Sequence, residues 1–440
     1  MYLVYSLLLG LGFAIMLPKF LLDALRHGKY ISGLRQRLGS LEPRPGSQPA
    51  IWLHCVSVGE VQAARPLFQA LRREFPDHAI CISTVTVTGQ ELARQAFAEA
   101  ARVFYFPVDW RWSVRRVMDA IRPSVVLLME TELWPNFLRE CHQRKIPAAV
   151  VNGRLSEKSF KRFQLIKSFI GKVLNNLTLA VMQTQADAAR VRDLGLPLDR
   201  IEVAGNMKFD AGEVAEPNLL ENEFASRFGF RDGRPILLAA STHDSEERII
   251  LDSFTRLRTA GFSQARLVVV PRHRERFNFV ASLLEESKYS WVRRSHPSDP
   301  TDRDVDIVLF DSIGELRSLF PLATIVFVGG SIARIGGHNV LEPAEAGACI
   351  VTGPYTKNFD EIVKTFTSRE ALIQLDEQQN GAMATTLSEV FVELLNDADR
   401  RKELGARGKV LVEENRGATI RTLALLKQML ASTERKSISS

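Results

Sequence analysis

Short runs of β-branched and aliphatic residues alternate along most of the chain with longer segments whose apolar positions recur every three or four residues. The short runs are too continuous for strands wet on one face, so they read as strands of parallel sheet covered on both sides. In the first half they fall at 50–56, 79–85, 102–106, 124–129, 148–152, 179–183 and 201–204, with helical patterns such as 61–75 and 90–101 between them. Strands separated by helices of this length build a doubly wound α/β sheet. Residues 40–210 are therefore expected to form one Rossmann-like domain. A polar, acidic stretch at 211–234, with Pro217, Gly229 and Gly233, reads as a linker. A second series follows at 235–240, 265–270, 307–310, 324–328, 349–352 and 371–374, which predicts a second Rossmann-like domain over 235–425. Two such domains are expected to face a central cleft at the carboxyl ends of their strands, where ligands of open α/β sheets bind.

The amino terminus has a different pattern. Residues 2–17 carry no charge and are mostly Leu, Val, Ile and Phe, followed by Pro18 and Lys19. That is slightly short of the roughly 20 residues that span a bilayer, unless Phe20, Leu21 and Leu22 are added with Lys19 snorkelling. No basic residues precede the run and no small-residue cleavage site follows it, so 1–25 is expected to be an uncleaved membrane-anchor helix. Arg26, Lys29, Arg35 and Arg37 come next and place the body on the cytoplasmic side.

Charge sharpens this picture. The net charge is +6, yet 19–37 alone carries +4 and 154–172 carries +5. In the second region Arg154, Lys158, Lys161, Arg162, Lys167 and Lys172 are interleaved with Phe160, Phe163 and Phe169. That mixture suits an anionic membrane surface or a phosphorylated lipid. The competing reading is an amphipathic helix with a charged outer side. No nucleic-acid partner is expected. Cys55, Cys81, Cys141 and Cys349 are scattered through apolar runs and read as buried reduced thiols.

Candidate chemistry collects at predicted strand ends. The run from Gly329 to Gly347 follows the strand at 324–328, where glycines and a helix start could offer N–H groups to a nucleotide phosphate. Tight helix–sheet packing is the other reason for such glycines. Ser57-Val58-Gly59-Glu60 fits a capping box, in which Glu60 only satisfies backbone groups, the reading its spacing favours, and also fits a general base at the cleft. Glu130 and Glu132 follow the strand at 124–129 and face the same choice between a substrate and the start of the next helix. In the second domain Ser241-Thr242-His243, Pro271-Arg272-His273 and Asp311-Ser312-Ile313-Gly314-Glu315 each follow a strand, and Arg272 with His273 suits a phosphate or carboxylate. Asp302-Arg303-Asp304 matches the Asp-x-Asp pattern of metal-dependent sugar transferases. It precedes its strand, however, so it reads as solvated loop acids. No HExxH, Walker loop or nucleophile elbow occurs.

Taken together, Ser57 to Glu60, Glu130 to Pro135, Asn152-Gly153-Arg154-Leu155-Ser156, Pro271-Arg272-His273 and Gly336-Gly337-His338-Asn339 through Glu342 resemble the 3-deoxy-D-manno-octulosonic acid (Kdo) transferases of lipopolysaccharide synthesis. The resemblance runs from the amino terminus to about Asn415. It implies a GT-B, metal-independent, inverting glycosyltransferase without a cofactor, at the cytoplasmic face of the inner membrane. The implied reaction moves Kdo from CMP-Kdo to a tetra-acylated lipid A precursor. By the family's motifs Glu60 is the proton acceptor and Glu130 assists it. Arg272, His273, Ile313, Gly314, Glu315, Asn339, Val340, Leu341 and Glu342 hold CMP, and Arg154, Lys158, Lys161 and Arg162 are candidate lipid contacts. The alternatives are a nucleotide-sugar 2-epimerase of the same architecture and a non-enzymatic two-domain solute-binding protein.

Overall fold

The computed structural model describes the backbone of residues 1–27, 33–210, 219–378 and 381–438, and their side chains except at 17–27 and 433–438. The chain divides into two units, Met1–Ala211 together with Asn415–Ser440, and Gly212–Glu414.

In the first unit seven parallel strands, β1 (Ala50–His54), β2 (Ala79–Thr84), β3 (Arg102–Tyr105), β4 (Pro123–Met129), β5 (Ala148–Gly153), β6 (Leu179–Met182) and β7 (Ile201–Val203), lie in the order β3-β2-β1-β4-β5-β6-β7. Both faces are covered. Trp52, Phe104, Phe106 and Phe137 pack on one side, and Ile51, Leu53, Phe68 and Phe97 on the other. This double burial is why the strands are apolar without alternation. The chain starts at the sheet centre, builds outward to β3 and returns to β4 beside β1. Crossovers leaving β1 and β4 in opposite directions open a crevice over their carboxyl ends.

The second unit repeats the plan. Strands β8 (Ile236–Thr242), β9 (Arg266–Pro271), β10 (Trp291–Arg293), β11 (Ile307–Leu309), β12 (Ile325–Val328), β13 (Ile350–Thr352) and β14 (Ile373–Gln374) lie in the order β10-β11-β9-β8-β12-β13-β14, with the switch between β8 and β12. Strand β10 was invisible in the apolar pattern because it is an edge strand, half-buried throughout.

Several expectations change. Residues 211–218 of the expected linker lie outside the described residues. Its remainder holds a helix, Leu219–Arg227, with Phe224 buried edge-on against Phe310 at 5.0 Å. The helix Ala418–Ile438 returns to the first unit, where Leu426 and Met429 are buried and Asp210 accepts from the N–H groups of Gly417 (2.7 Å) and Thr419 (2.6 Å). The second unit therefore ends at Glu414 rather than at 425. Asp302 is not a solvated loop acid. It is 3% exposed, shares a capping box with Asp299 and pairs with Arg227 at 2.7 Å.

The amino-terminal helix, Tyr2–His27, is docked along one side. Tyr2 and Tyr5 pack on Phe169, Phe13 meets Trp110 edge-on at 5.1 Å, and Asn136 donates its amide to the Ser6 hydroxyl at 3.0 Å. Leu3, Leu7, Leu8, Leu11 and Ile15 point to solvent on the other side, all at least 60% exposed. Among the described residues no helix is long and apolar enough to cross a membrane. The side chains of Lys19 and Arg26, and the whole of Lys29, lie outside the described set. In the basic region Phe160, Phe163 and Phe169 pack against the core, as the amphipathic reading with a charged outer side requires. Leu165, 85% exposed, and Ile166, 50% exposed, take an outward position.

Candidate functional site

At the switch point of the first sheet, β1 leads directly into the helix Val58–Glu74, whose first turn carries Glu60. Its carboxylate accepts from the Val56 N–H at 2.8 Å and from the Ser57 hydroxyl at 3.0 Å. In a capping box the serine would accept from the helix. Here it donates to Glu60 and makes no cap bond, so the capping box is not formed, although Glu60 still satisfies the backbone N–H of Val56. Beside β1, strand β4 delivers Glu130 and Glu132. Glu130 sits at φ 53°, a left-handed conformation costing a non-glycine residue about 1–3 kcal/mol. Its own N–H is held by the Val151 carbonyl at 3.0 Å.

The alternative for Glu130 and Glu132, service at the start of the next helix, fails. The helix Pro135–Gln143 is already served by Asp109, which accepts from the N–H groups of Asn136 (2.9 Å) and Phe137 (2.8 Å). The three glutamates make no ion pair among the described residues. Burial raises the Glu60 carboxyl to about 8, with repulsion from Glu130 and Glu132 adding and the Val56 and Ser57 bonds opposing. Burial and Glu130 raise Glu132 to about 7. A carboxylate of that basicity can take a proton from a hydroxyl.

Arg154 follows β5, its N–H donating to the Thr131 hydroxyl at 3.0 Å, which ties the loops after β4 and β5 together. Lys158, Lys161 and Arg162 are exposed on the helix Glu157–Gln164, Lys161 paired with Glu157 at 2.7 Å. Asn152, overlooked in the sequence beyond its motif, fastens three strand ends. Its side chain accepts from the Met207 N–H at 2.9 Å, and its carbonyl accepts from the Gln183 amide at 3.0 Å. Its φ of 54° and the Asn-Gly pair at a strand end were the available signal.

The switch point of the second sheet has opposite chemistry. The glycine loop after β12 does not hold its N–H groups open to a phosphate. Glu246, fully buried, accepts from Gly330 and His243 on one oxygen (2.8 and 2.9 Å) and from Ser331, Ile332 and Ala333 on the other (2.9, 2.8 and 3.2 Å). The protein's own carboxylate fills the nest, so the phosphate-cradle expectation is corrected. Gly329 is required by packing, since a Cβ there would stand 2.7 Å from the Ser241 carbonyl and 2.9 Å from Glu246.

The clamp holds histidines. His243 and His338 meet edge to edge, with ring planes 8° apart and Nε2 atoms 2.7 Å apart, and His273 stands edge-on to His243 at 5.2 Å. Arg272, exposed after β9, makes no ion pair among the described residues, whereas Arg276 is paired with Asp244 (2.9 Å) and Glu247 (3.0 Å). Burial first, then the neighbouring cations and histidines, lowers His243 to about 4 and His338 to about 3.

The other expected donor-side residues are distributed around this pair. Ile313 is 59% exposed and Gly314 has φ 92°, while Glu315 pairs with Arg294 at 3.2 Å, all after β11, two strands from β8. Asn339 accepts from the Leu341 N–H at 3.0 Å and donates to Glu342 at 2.9 Å, in the turn that enters the short helix Leu341–Glu345. Val340 and Leu341 are buried. Among the described residues no group of three or more His, Cys, Asp or Glu is placed to hold a metal ion.

Residues 32–211 match the family model described as 3-deoxy-D-manno-octulosonic-acid transferase (kdotransferase). The chain is 36% identical to the 3-deoxy-D-manno-octulosonic acid transferase of Haemophilus influenzae, over 86% of this chain and 87% of that one. It is 30% identical to the transferase of the same description from Bordetella pertussis, over 90% of each. Among solved structures, UDP-GlcNAc 2-epimerase from Neisseria meningitidis shares the fold with TM-score 0.55 at 13% identity, over 86% of this chain and all of that one. The two parallel-sheet α/β domains resemble those of GT-B glycosyltransferases.

Proposed function

The chain belongs to the 3-deoxy-D-manno-octulosonic acid transferases, and from that premise we propose that it moves Kdo from CMP-Kdo to a hydroxyl of a phosphorylated, tetra-acylated lipid A precursor, inverting the sugar and releasing CMP without a metal. Glu60 takes the proton of the acceptor hydroxyl as the oxygen bonds to the anomeric carbon. The bond from that carbon to the phosphate breaks, and CMP leaves with the electron pair. The observation that carries this reading is Glu60 itself. It is held by Val56 and Ser57 without forming a capping box, and raised to about 8 by burial and by two neighbouring carboxylates. Arg272 supplies the cationic partner that a departing phosphate needs, with the histidines beside it. Glu130 assists at the acceptor side, and Ile313 to Glu315 with Asn339 to Glu342 hold the nucleotide.

The proposed location is the cytoplasmic face of the inner membrane. Supporting it are the exposed leucines of the helix Tyr2–His27 and, tied to that helix through Phe169, the exposed Leu165, Ile166 and Lys158, Lys161 and Arg162. A helix docked on one face and apolar on the other fits a position along the lipid interface. The 2-epimerase reading rests on a fold likeness alone, and the family membership weighs against it. The deciding experiment incubates the full chain with CMP-Kdo and lipid A precursor and weighs the product. A mass gain of one or more Kdo units supports the proposal. An unaltered acceptor with intact CMP-Kdo, under conditions where a UDP-sugar is epimerised, sinks it.

A further inference from the structure

We propose that His243 and His338 form a proton-sharing pair that takes up a single proton when the phosphate of the nucleotide donor docks beside it. This rests on the donor site lying at the β8–β12 switch point.

The Nε2–Nε2 separation of 2.7 Å carries the argument. Two ring nitrogens that close need one hydrogen between them, so one histidine presents Nε2–H and the other a bare Nε2, its hydrogen then on Nδ1. One added proton goes to the free Nδ1 of the donating ring. It leaves the shared hydrogen in place and turns the contact into a charge-assisted bond. A second proton would put hydrogens on both facing nitrogens and break the contact. The pair therefore counts to one.

Its surroundings hold that proton off until an anion arrives. From β9 and the turn after it, Arg272 and His273 face the pair, and Arg276 is already neutralised by Asp244 and Glu247. From the pair's own side, Glu246 directs both carboxylate oxygens into five backbone N–H groups. Arg272 remains as a cation with no counter-charge among the described residues. A phosphate docking on it would cancel the repulsion and add attraction, and an opposite charge within about 4–6 Å raises a histidine's proton affinity. During transfer the phosphate oxygen keeps the electron pair of the broken sugar–phosphate bond. The charged pair offsets that charge without surrendering its proton.

The test is calorimetry of CMP binding to the full chain at pH 7 in buffers of different ionisation enthalpy, which reads protons exchanged per nucleotide. The expected result is an uptake of about half to one proton, because CMP itself, with a second phosphate pKa of about 6, could only release protons. His338→Asn, and independently His243→Asn, should bring uptake close to zero while CMP still binds. Glu60→Gln should leave it unchanged. Binding of CMP without uptake, or uptake in the histidine variants equal to that of the wild type, overturns the pair but not the donor site. Failure of CMP to bind at all overturns the donor assignment and the pair with it.

Discussion

The two switch points are built on the same backbone plan and charged in opposite senses. Between β1 and β4 the chain gathers Glu60, Glu130 and Glu132, whose burial and mutual repulsion raise Glu60 to about 8 and Glu132 to about 7. Between β8 and β12 it gathers His243 and His338 beside Arg272 and His273, and the same two effects lower the histidines to about 4 and about 3. Each cluster holds its titrating groups neutral by crowding like charges in a dry place. In the first, the carboxylate that forms as pH rises through about 8 is basic enough to take a proton from a hydroxyl; the second stands ready to receive an anion. One fold thus serves two halves of a transfer reaction, and the difference lies in a handful of residues at strand ends.

The strongest way to break this comparison is Glu60→Gln. If Glu60 is the base, kcat/KM should fall by about 10²–10⁴-fold. Because its folded pKa lies above the unfolded value, Glu60 opposes folding as pH rises from the ordinary carboxyl range through about 8. The amide should therefore melt at or above the wild-type temperature at pH 8, and the wild-type rate should climb through that same pH. Near-normal turnover, or a large loss of stability, would return Glu60 to a structural role.

A second test sharpens the basic half. Glu246→Gln keeps the shape but leaves the amide nitrogen facing the Gly330 or Ser331 side of the nest, where N–H groups then lack an acceptor. A stability loss of about 1–3 kcal/mol is expected, with a higher KM for CMP-Kdo and an unchanged KM for the acceptor. A change confined to the acceptor would contradict the assignment of the two halves.

The smallest effect is expected away from both clusters. Replacing Lys158, Lys161 and Arg162 by Ala should weaken binding to anionic vesicles and raise the acceptor KM, at no more than about 1 kcal/mol per cation and less with added salt. Lys161, already paired with Glu157, should contribute least. An unchanged acceptor KM would remove this helix from the lipid contact.

Much of the fold was legible because doubly covered strands must be apolar, as in β12 and in β4 from Val125 onward. Half-buried β10 and the helix Leu219–Arg227 lay in polar stretches and gave no such signal. At the sites the motifs pointed to Glu60, Glu130, Arg272 and His273, but their spacing also fitted rival roles. Ser-x-x-Glu is a capping box until a hydroxyl is seen donating the wrong way. Gly329 and Gly330 suggest a phosphate cradle until Glu246, 83 residues earlier in the chain than Gly329, is found inside it.

By itself the sequence determined two α/β domains, the strand ends where chemistry would gather, and the family, since these depend on local periodicity and on residue identity at matched positions. Only the tertiary structure decided which carboxylates are spent on the backbone and which are left for chemistry. Asp109 and Glu246 are spent, whereas Glu130 and Glu132 remain, and Glu60 is held without serving as a cap. That choice depends on which distant N–H groups and charges meet in a buried space, and spacing along the chain does not encode such a meeting.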